Sequence, residues 1–189
     1  MSTSIETAKI SFRTFNAGDV DAAHVLSQAV RWPHRAQDWR FMAEAGAGSV
    51  AELDGTVIGT ALCWKFGADR ASLGMVIVSP EQQGLGIGRK LMKLLLEQTA
   101  ERITFLHATP AGKPLYEKLG FEAFGWTEQH QGIVANVPPL SLPSGERLRP
   151  LSSNDTPRLI ELASRASGLD RSAVLPALLT VGQGIGLDA

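Results

Sequence analysis

The sequence predicts an α/β fold built on a mixed central sheet, and three observations predict it. Short apolar, β-branched runs alternate with amphipathic helical stretches. Asp54-Gly55 stands between two such runs and marks a tight antiparallel hairpin. Residues 72–78 are apolar on both faces, as expected of a central strand covered from both sides. Strands joined by a hairpin and strands joined through helices in one chain make the sheet mixed rather than parallel.

The elements follow in order. Ile10-Ser11-Phe12-Arg13 reads as a first strand, and Asn16-Ala17-Gly18-Asp19 supplies turn and helix-start chemistry. One helix runs to about Val30, and a second from about Arg35 to Ala45, after Pro33 and before Gly46 and Gly48. Residues 49–53 and 56–64 form the hairpin about Asp54-Gly55. The apolar strand 72–78 ends at Pro80. Ile87, Leu91, Leu94 and Leu95 share one face of the next helix. Residues 103–106 are a strand, a short helix stops at Gly120, and residues 121–126 are expected to form a further strand.

Composition narrows the function. The chain has 189 residues, 18 Lys and Arg against 19 Asp and Glu, and 44% hydrophobic residues. That length holds one domain, or one domain and something extra. A formal net charge of −1 argues against a nucleic-acid partner, which needs a cationic surplus. The single Cys63 excludes a disulfide framework and a Cys-rich metal site, and no metal is expected. Met1-Ser2-Thr3-Ser4-Ile5-Glu6 lacks signal-peptide character, and the apolar stretch at 91–96 is too short to cross a bilayer. A cytoplasmic protein with no membrane partner is expected.

Residues 133–147 change character: three prolines within 137–145 make an extended linker. Beyond it the opening pattern restarts. Leu148-Arg149-Pro150-Leu151-Ser152-Ser153-Asn154-Asp155 matches Phe12-Arg13-Thr14-Phe15-Asn16-Ala17-Gly18-Asp19 at a constant offset, and two helices follow. An internal repeat is the better reading, against the plainer one that any strand–turn–helix resembles any other. The expected organisation is a domain at 1–132, the linker, and a strand–helix–helix beginning of a second unit at 148–189. Gly182-Gln183-Gly184-Ile185-Gly186 copies the look of the glycine turn described next, but no helix follows it, and it is rejected as a site.

Chemistry concentrates at Gln83-Gly84-Leu85-Gly86-Ile87-Gly88, between the apolar strand and an amphipathic helix. Glycines let the backbone turn tightly and approach a ligand, and the free amides at a helix start suit a pyrophosphate. Arg89 and Lys90 add positive charge. No Gly-Lys-Ser/Thr follows, so a Walker loop does not fit, and a preceding hairpin and two helices fit a Rossmann unit poorly.

In context the segment resembles the GCN5-related N-acetyltransferase (GNAT) family. Gln83, Gly86 and Gly88 fit the family's Arg/Gln-x-x-Gly-x-Gly/Ala loop, with Val78-Ser79-Pro80 before it. Leu115-Tyr116-Glu117-Lys118-Leu119-Gly120-Phe121 is a second match, and the resemblance covers about residues 8–130. It implies a GNAT fold, acetyl-CoA as donor and an amine as acceptor. It implies that Met75, Val76, Ile77 and Val78 run beside the pantetheine arm. Gln83, Gly84, Leu85, Gly86, Ile87, Gly88 and Arg89 would hold the pyrophosphate, and Tyr116 would serve as general acid. Thr109 stands where many members carry an Asn against the coenzyme, and His107 offers an alternative contact. Only Asp69 offers a carboxylate near the start of the apolar strand, so the general base is unassigned. Trp32 and His34 lie where the family forms its acceptor side; the same stretch also reads as ordinary packing around Trp39. Cys63 reads as structural. The expected activity is direct acetyl transfer in a ternary complex, to a small amine or a protein amine. The alternative is a non-catalytic acyl-CoA-binding regulatory module. Family members are often dimers, so a homodimer is one candidate partner, and the sequence leaves the oligomeric state open.

Overall fold

The computed structural model describes residues 9–133, 135, 136 and 139–188; residues 1–8, Ala189 and three linker positions, Val134, Val137 and Pro138, lie outside the described residues. The chain divides into two units, one ending at Glu122 and the other beginning at Ala123.

The first unit contains β1 (Ile10–Thr14), α1 (Val20–Ala29), α2 (Ala36–Ala45), β2 (Ala47–Leu53), β3 (Thr56–Phe66), β4 (Arg70–Val78), α3 (Ile87–Thr99), β5 (Ile103–Leu106) and α4 (Lys113–Glu117). Its five strands lie in the order β1-β2-β3-β4-β5. All neighbours are antiparallel except β4 and β5, which are parallel. The β2–β3 hairpin turns at Asp54 (φ 49°) and Gly55 (φ 80°), the two left-handed residues that a two-residue hairpin requires.

Each face of the sheet buries a different layer. Leu91, Met92 and Leu95 of α3 pack with Ala51, Ala61, Cys63 and Leu73. Val20, Ala23 and Leu26 of α1 and Trp39 of α2 pack with Leu62, Met75 and Ile77 on the other. Trp39 is fully buried and donates its indole N–H to Ser27 Oγ at 3.0 Å, while that hydroxyl donates to the His24 carbonyl at 2.7 Å. The core reading of Trp39 therefore holds, with its one polar atom satisfied.

Arg13 clasps the start of this unit together. Its two terminal nitrogens donate to both oxygens of Asp19, at 2.7 and 2.6 Å, and one also reaches Glu52 Oε1 at 2.6 Å. Asp19, 4% exposed, also accepts the Asn16 N–H at 2.8 Å. The bonds from Arg13 hold the Asp19 carboxyl below the ordinary range against the opposing effect of burial. One guanidinium thus ties β1 to the turn before α1 and to β2.

The second unit contains β6 (Arg147–Pro150), α5 (Thr156–Ser167), α6 (Val174–Val181) and β7 (Ile185–Asp188), with β6 and β7 antiparallel. Arg149 donates to both oxygens of Asp155, at 2.8 and 2.6 Å, and to Asp188 Oδ2 at 3.0 Å. The pairs Arg13/Arg149, Asp19/Asp155 and Glu52/Asp188 are each 136 positions apart. The backbone bond from Leu151 N–H to Gly184 O, 2.8 Å, repeats the one from Phe15 N–H to Gly48 O, 2.9 Å, at the same offset.

Two expectations are corrected. Residues 121–126 form no strand. After Gly120 (φ 89°) the Phe121 N–H bonds back to the Tyr116 carbonyl at 3.1 Å. Phe124 and Trp126 are 90% and 81% exposed, so their spacing finds no sheet to enter. The tail glycines, rejected as a site, lead into β7, a strand absent from the strand–helix–helix reading.

Replacing Arg13 with Met should destabilise the fold by about 3 kcal/mol, because it leaves the buried Asp19 charge without its partner. Urea unfolding measures the loss. The depressed Asp19 pKa stabilises the fold above its unfolded value of about 4, and that contribution is lost as pH falls further. The difference between Arg13→Met and wild type should therefore shrink below about pH 4.

Candidate functional site

The site begins where two strands part. β4 pairs with β5 only from Arg70↔Ile103 to Leu73↔Leu106, yet runs on to Val78. Beyond Leu73 the β5-facing edge of β4 therefore has no strand partner among the described residues. That open edge forms one side of a cavity of about 650 Å³.

At the same place β4 bulges. Its pairing with β3 passes from Leu62↔Gly74 to Thr60↔Ile77, so Ala61 stands opposite two residues, Met75 and Val76. Met75 is left-handed, φ 52°, a conformation costing a side-chain-bearing residue about 1–2 kcal/mol. The extra residue changes the phase of the strand. Leu73 packs in the α3 layer, whereas Met75 and Ile77 pack in the α1–α2 layer. A Cβ on Gly74 would sit 3.0 Å from the Trp64 ring, which belongs to that same second layer. Gly74 and Met75 thus face the same way in succession, as bulged residues do.

The glycine turn meets this edge from the end of the strand. Gly84 (φ 82°) and Gly86 (φ 78°) are left-handed, and space is open where either would carry a Cβ. Gly86 precedes α3, whose first intrahelical bond runs from Lys90 N–H to Gly86 O. The amides of Ile87, Gly88 and Arg89 are consequently free for a ligand, at the positive end of a 13-residue helix. The Gln83 side-chain amide donates to the Val78 carbonyl at 3.1 Å, fastening the turn to the strand. Gly88 serves packing: a Cβ there would touch Leu115 at 3.4 Å.

Tyr116 closes the cavity from α4. Its ring packs edge-on against Phe121, centroids 6.1 Å apart, and a Cβ on Gly112 would lie 3.0 Å from it. Burial pushes the phenol above its ordinary pKa. Thr109 Oγ1 accepts the Gly112 N–H at 3.2 Å, shaping the entry to α4, and its own proton is left to donate.

The cavity gathers most of the expected residues: Met75 through Val78, Gln83, Gly84, Gly86, Ile87, Gly88, Arg89, Thr109, Tyr116 and Trp32. Leu85 and His34 are not among its lining. Leu85 is 63% exposed. The His34 ring lies 5.5 Å from that of Trp32 and so backs the wall. Asp69 is 72% exposed, paired with Arg70 at 2.8 Å and outside the lining. His107 does line the cavity, whereas Cys63 does not; burial raises the Cys63 thiol. Gly112, Val30 and the bulge were not anticipated. Glycine four residues before the tyrosine was the available signal for the first, since that spacing is one helical turn.

The acetyltransferase (GNAT) family matches residues 19–121. The chain belongs to this family. It is 30% identical over 152 residues to the uncharacterized N-acetyltransferase YitH of Bacillus subtilis, an alignment covering 79% of this chain and 53% of YitH. A candidate acetyltransferase from Pyrococcus horikoshii shares the fold with a TM-score of 0.66 at 19% identity, over 92% of this chain and 62% of that one. The ribosomal-protein-S18-alanine N-acetyltransferase of Escherichia coli shares it with a TM-score of 0.54 at 22% identity, over 60% and 78%. The chain thus spans about half of YitH and under two thirds of the Pyrococcus protein. Members of the GNAT family use acetyl-CoA, and the glycine turn lies within the matched residues. Among the described residues no helix is long and apolar enough to cross a membrane.

Tyr116 is the only tyrosine, so alkaline titration of tyrosinate absorbance reads it alone. The midpoint should lie above the ordinary value of about 10 in the native protein and return to it in denaturant. The raised pKa favours the folded state below about pH 10, and that contribution is lost as pH rises through the native midpoint.

Proposed function

We propose that this chain is an N-acetyltransferase that moves the acetyl group of acetyl-CoA directly to an amine, without a covalent enzyme intermediate. One observation supports it above the rest: a single cavity joins the open edge of β4, the amide-rich start of α3 and the buried Tyr116. The donor set fits the coenzyme. Amides following the two left-handed glycines, together with Arg89, suit a pyrophosphate, and the space beside those glycines is open to it. The backbone of Met75 through Val78 suits the amide-bearing arm, and Thr109 offers a hydroxyl donor beside it.

Bound acetyl-CoA supplies an acetyl group activated as a thioester: the C–N bond to the amine forms as the C–S bond breaks. Tyr116 serves the departing sulfur. Its phenol stays protonated at neutral pH because burial disfavours the phenolate. With a pKa above the roughly 8.5 of a thiol, it acts chiefly as a hydrogen-bond donor to the developing thiolate. The proton shed by the amine nitrogen ends on the thiol, and the phenol finishes the cycle neutral. Cys63, away from the cavity with a raised thiol pKa, is no acyl carrier, which favours direct transfer.

The acceptor is read as a small amine entering along Trp32, with His34 bracing that indole. Residues 148–189, after the 133–147 linker, are read as a partial second GNAT-like unit, which the repeated Arg149–Asp155–Asp188 clasp supports. The proposed coenzyme site belongs to the first unit.

Incubation with acetyl-CoA and a panel of amines should release free thiol, and Tyr116→Phe should lower kcat about 100-fold. Coenzyme binding without thiol release from any amine would overturn the enzymatic reading in favour of a binding module. Gly86→Asp should raise the acetyl-CoA dissociation constant at least about 100-fold by setting a carboxylate against the pyrophosphate and straining the turn. Calorimetric titration decides it, and unchanged affinity would remove the loop from the site.

A further inference from the structure

The bulge in β4 carries a left-handed Met75, and a buried hydroxyl meets it there. Thr60, on β3, is fully buried and donates its hydroxyl to the Met75 carbonyl at 2.8 Å. Met75 and Val76 are the two residues that the β3–β4 register passes over. The hydroxyl therefore answers a carbonyl on the segment that the ladder leaves out. A buried hydroxyl in a sheet interior is costly unless paired, and Val would fill the same volume without that requirement.

We propose that Thr60 is a positioning residue for acetyl transfer: its hydroxyl locks the β4 bulge so that the Met75–Val76 backbone is presented to the cavity beside Tyr116. Thr60 itself is not among the residues lining the cavity, so it acts through Met75 rather than by touching substrate. The inference rests on the acetyltransferase reading, but the lock has a readout of its own. Loss of the hydroxyl lets β4 relax toward regular pairing with β3. That relaxation would move the phase of Met75, Val76 and Ile77, the stretch on which the thioester must be aligned. Misplacement of about 1 Å at a reacting group costs about 100-fold in rate.

The test compares Thr60→Val, which keeps the volume and removes the hydroxyl, with Thr60→Ser, which keeps the hydroxyl. The backbone 13C shifts of Met75 should report the left-handed conformation in wild type and Thr60→Ser, and lose it in Thr60→Val. Thr60→Val should lower kcat about 10- to 100-fold while the calorimetric Kd for acetyl-CoA moves less than about threefold; Thr60→Ser should restore kcat to within about threefold of wild type. A left-handed Met75 surviving in Thr60→Val would overturn the proposal. So would unchanged kcat, or an equal loss of kcat, coenzyme affinity and thermal stability in both variants. A wild type that turns over no amine defeats the acetyltransferase reading instead, and the Met75 shifts then still decide whether Thr60 holds the bulge.

Discussion

A strand inside a sheet must satisfy backbone groups along both edges, and β4 does so only as far as Leu73. From Gly74 to Val78 its only strand neighbour among the described residues is β3, and the register there passes over Met75 and Val76. Unpaired backbone groups away from water cost roughly as much as a lost hydrogen bond each, so an opened edge persists only if the surroundings prevent its closure. Here the connection from β5 to α4 does this. Backbone bonds from Gly112 and Lys113 to the Thr109 carbonyl start a new helix within a few residues of Leu106. The chain leaving β5 is thereby turned away from β4, and the wedge that remains is the cavity.

Everything else at the site is arranged around that wedge. The glycine turn exists because the chain leaving β4 must reverse across the strand end to start α3, and left-handed Gly84 and Gly86 make the reversal without side chains entering the wedge. Tyr116 reaches it because Gly112, one turn earlier, leaves room for the ring. Burial then does two things to the phenol at once. It keeps the proton on, and in the proposed reaction it limits the phenol to a hydrogen bond with the sulfur on which negative charge gathers.

The Arg13 clasp governs the other end of the sheet. A guanidinium offers a fixed fork of donors, and spanning Asp19 and Glu52 lets it set both the start of α1 and the position of β2 against β1. Its counterpart around Arg149 uses the same three positions at one constant offset, with Asp in place of Glu at the third. A shorter acid is accommodated by a different donor, Nε instead of a terminal nitrogen. The geometry of the clasp is thus retained through a substitution that changes side-chain reach by one methylene.

The legible parts of the sequence were those whose cause is local. Asp54-Gly55 dictates its hairpin, and the 83–88 glycines dictate a turn into a helix. Tyr116 was legible through its motif, although the glycine that makes room for it was passed over. What escaped reading depends on partners. Residues 121–126 carry strand-like spacing, but a strand is a property of a pair, and Phe121 is captured by the Tyr116 carbonyl instead. Residues 185–188 escape because they adjoin a glycine-rich stretch that resembles a loop; the offset that pairs Arg13 with Arg149 also pairs Glu52 with Asp188, and extending it past the two helices exposes β7. The bulge is the extreme case. Residues 72–78 look like an uninterrupted apolar strand, and only the register against β3 shows that one residue is extra. Two residues hinted at it all the same: a glycine in an otherwise packed strand, Gly74, and a hydroxyl at a fully buried position of β3, Thr60. Each departs from what a regular strand would choose, and each departs at the point where β4 stops being a regular strand.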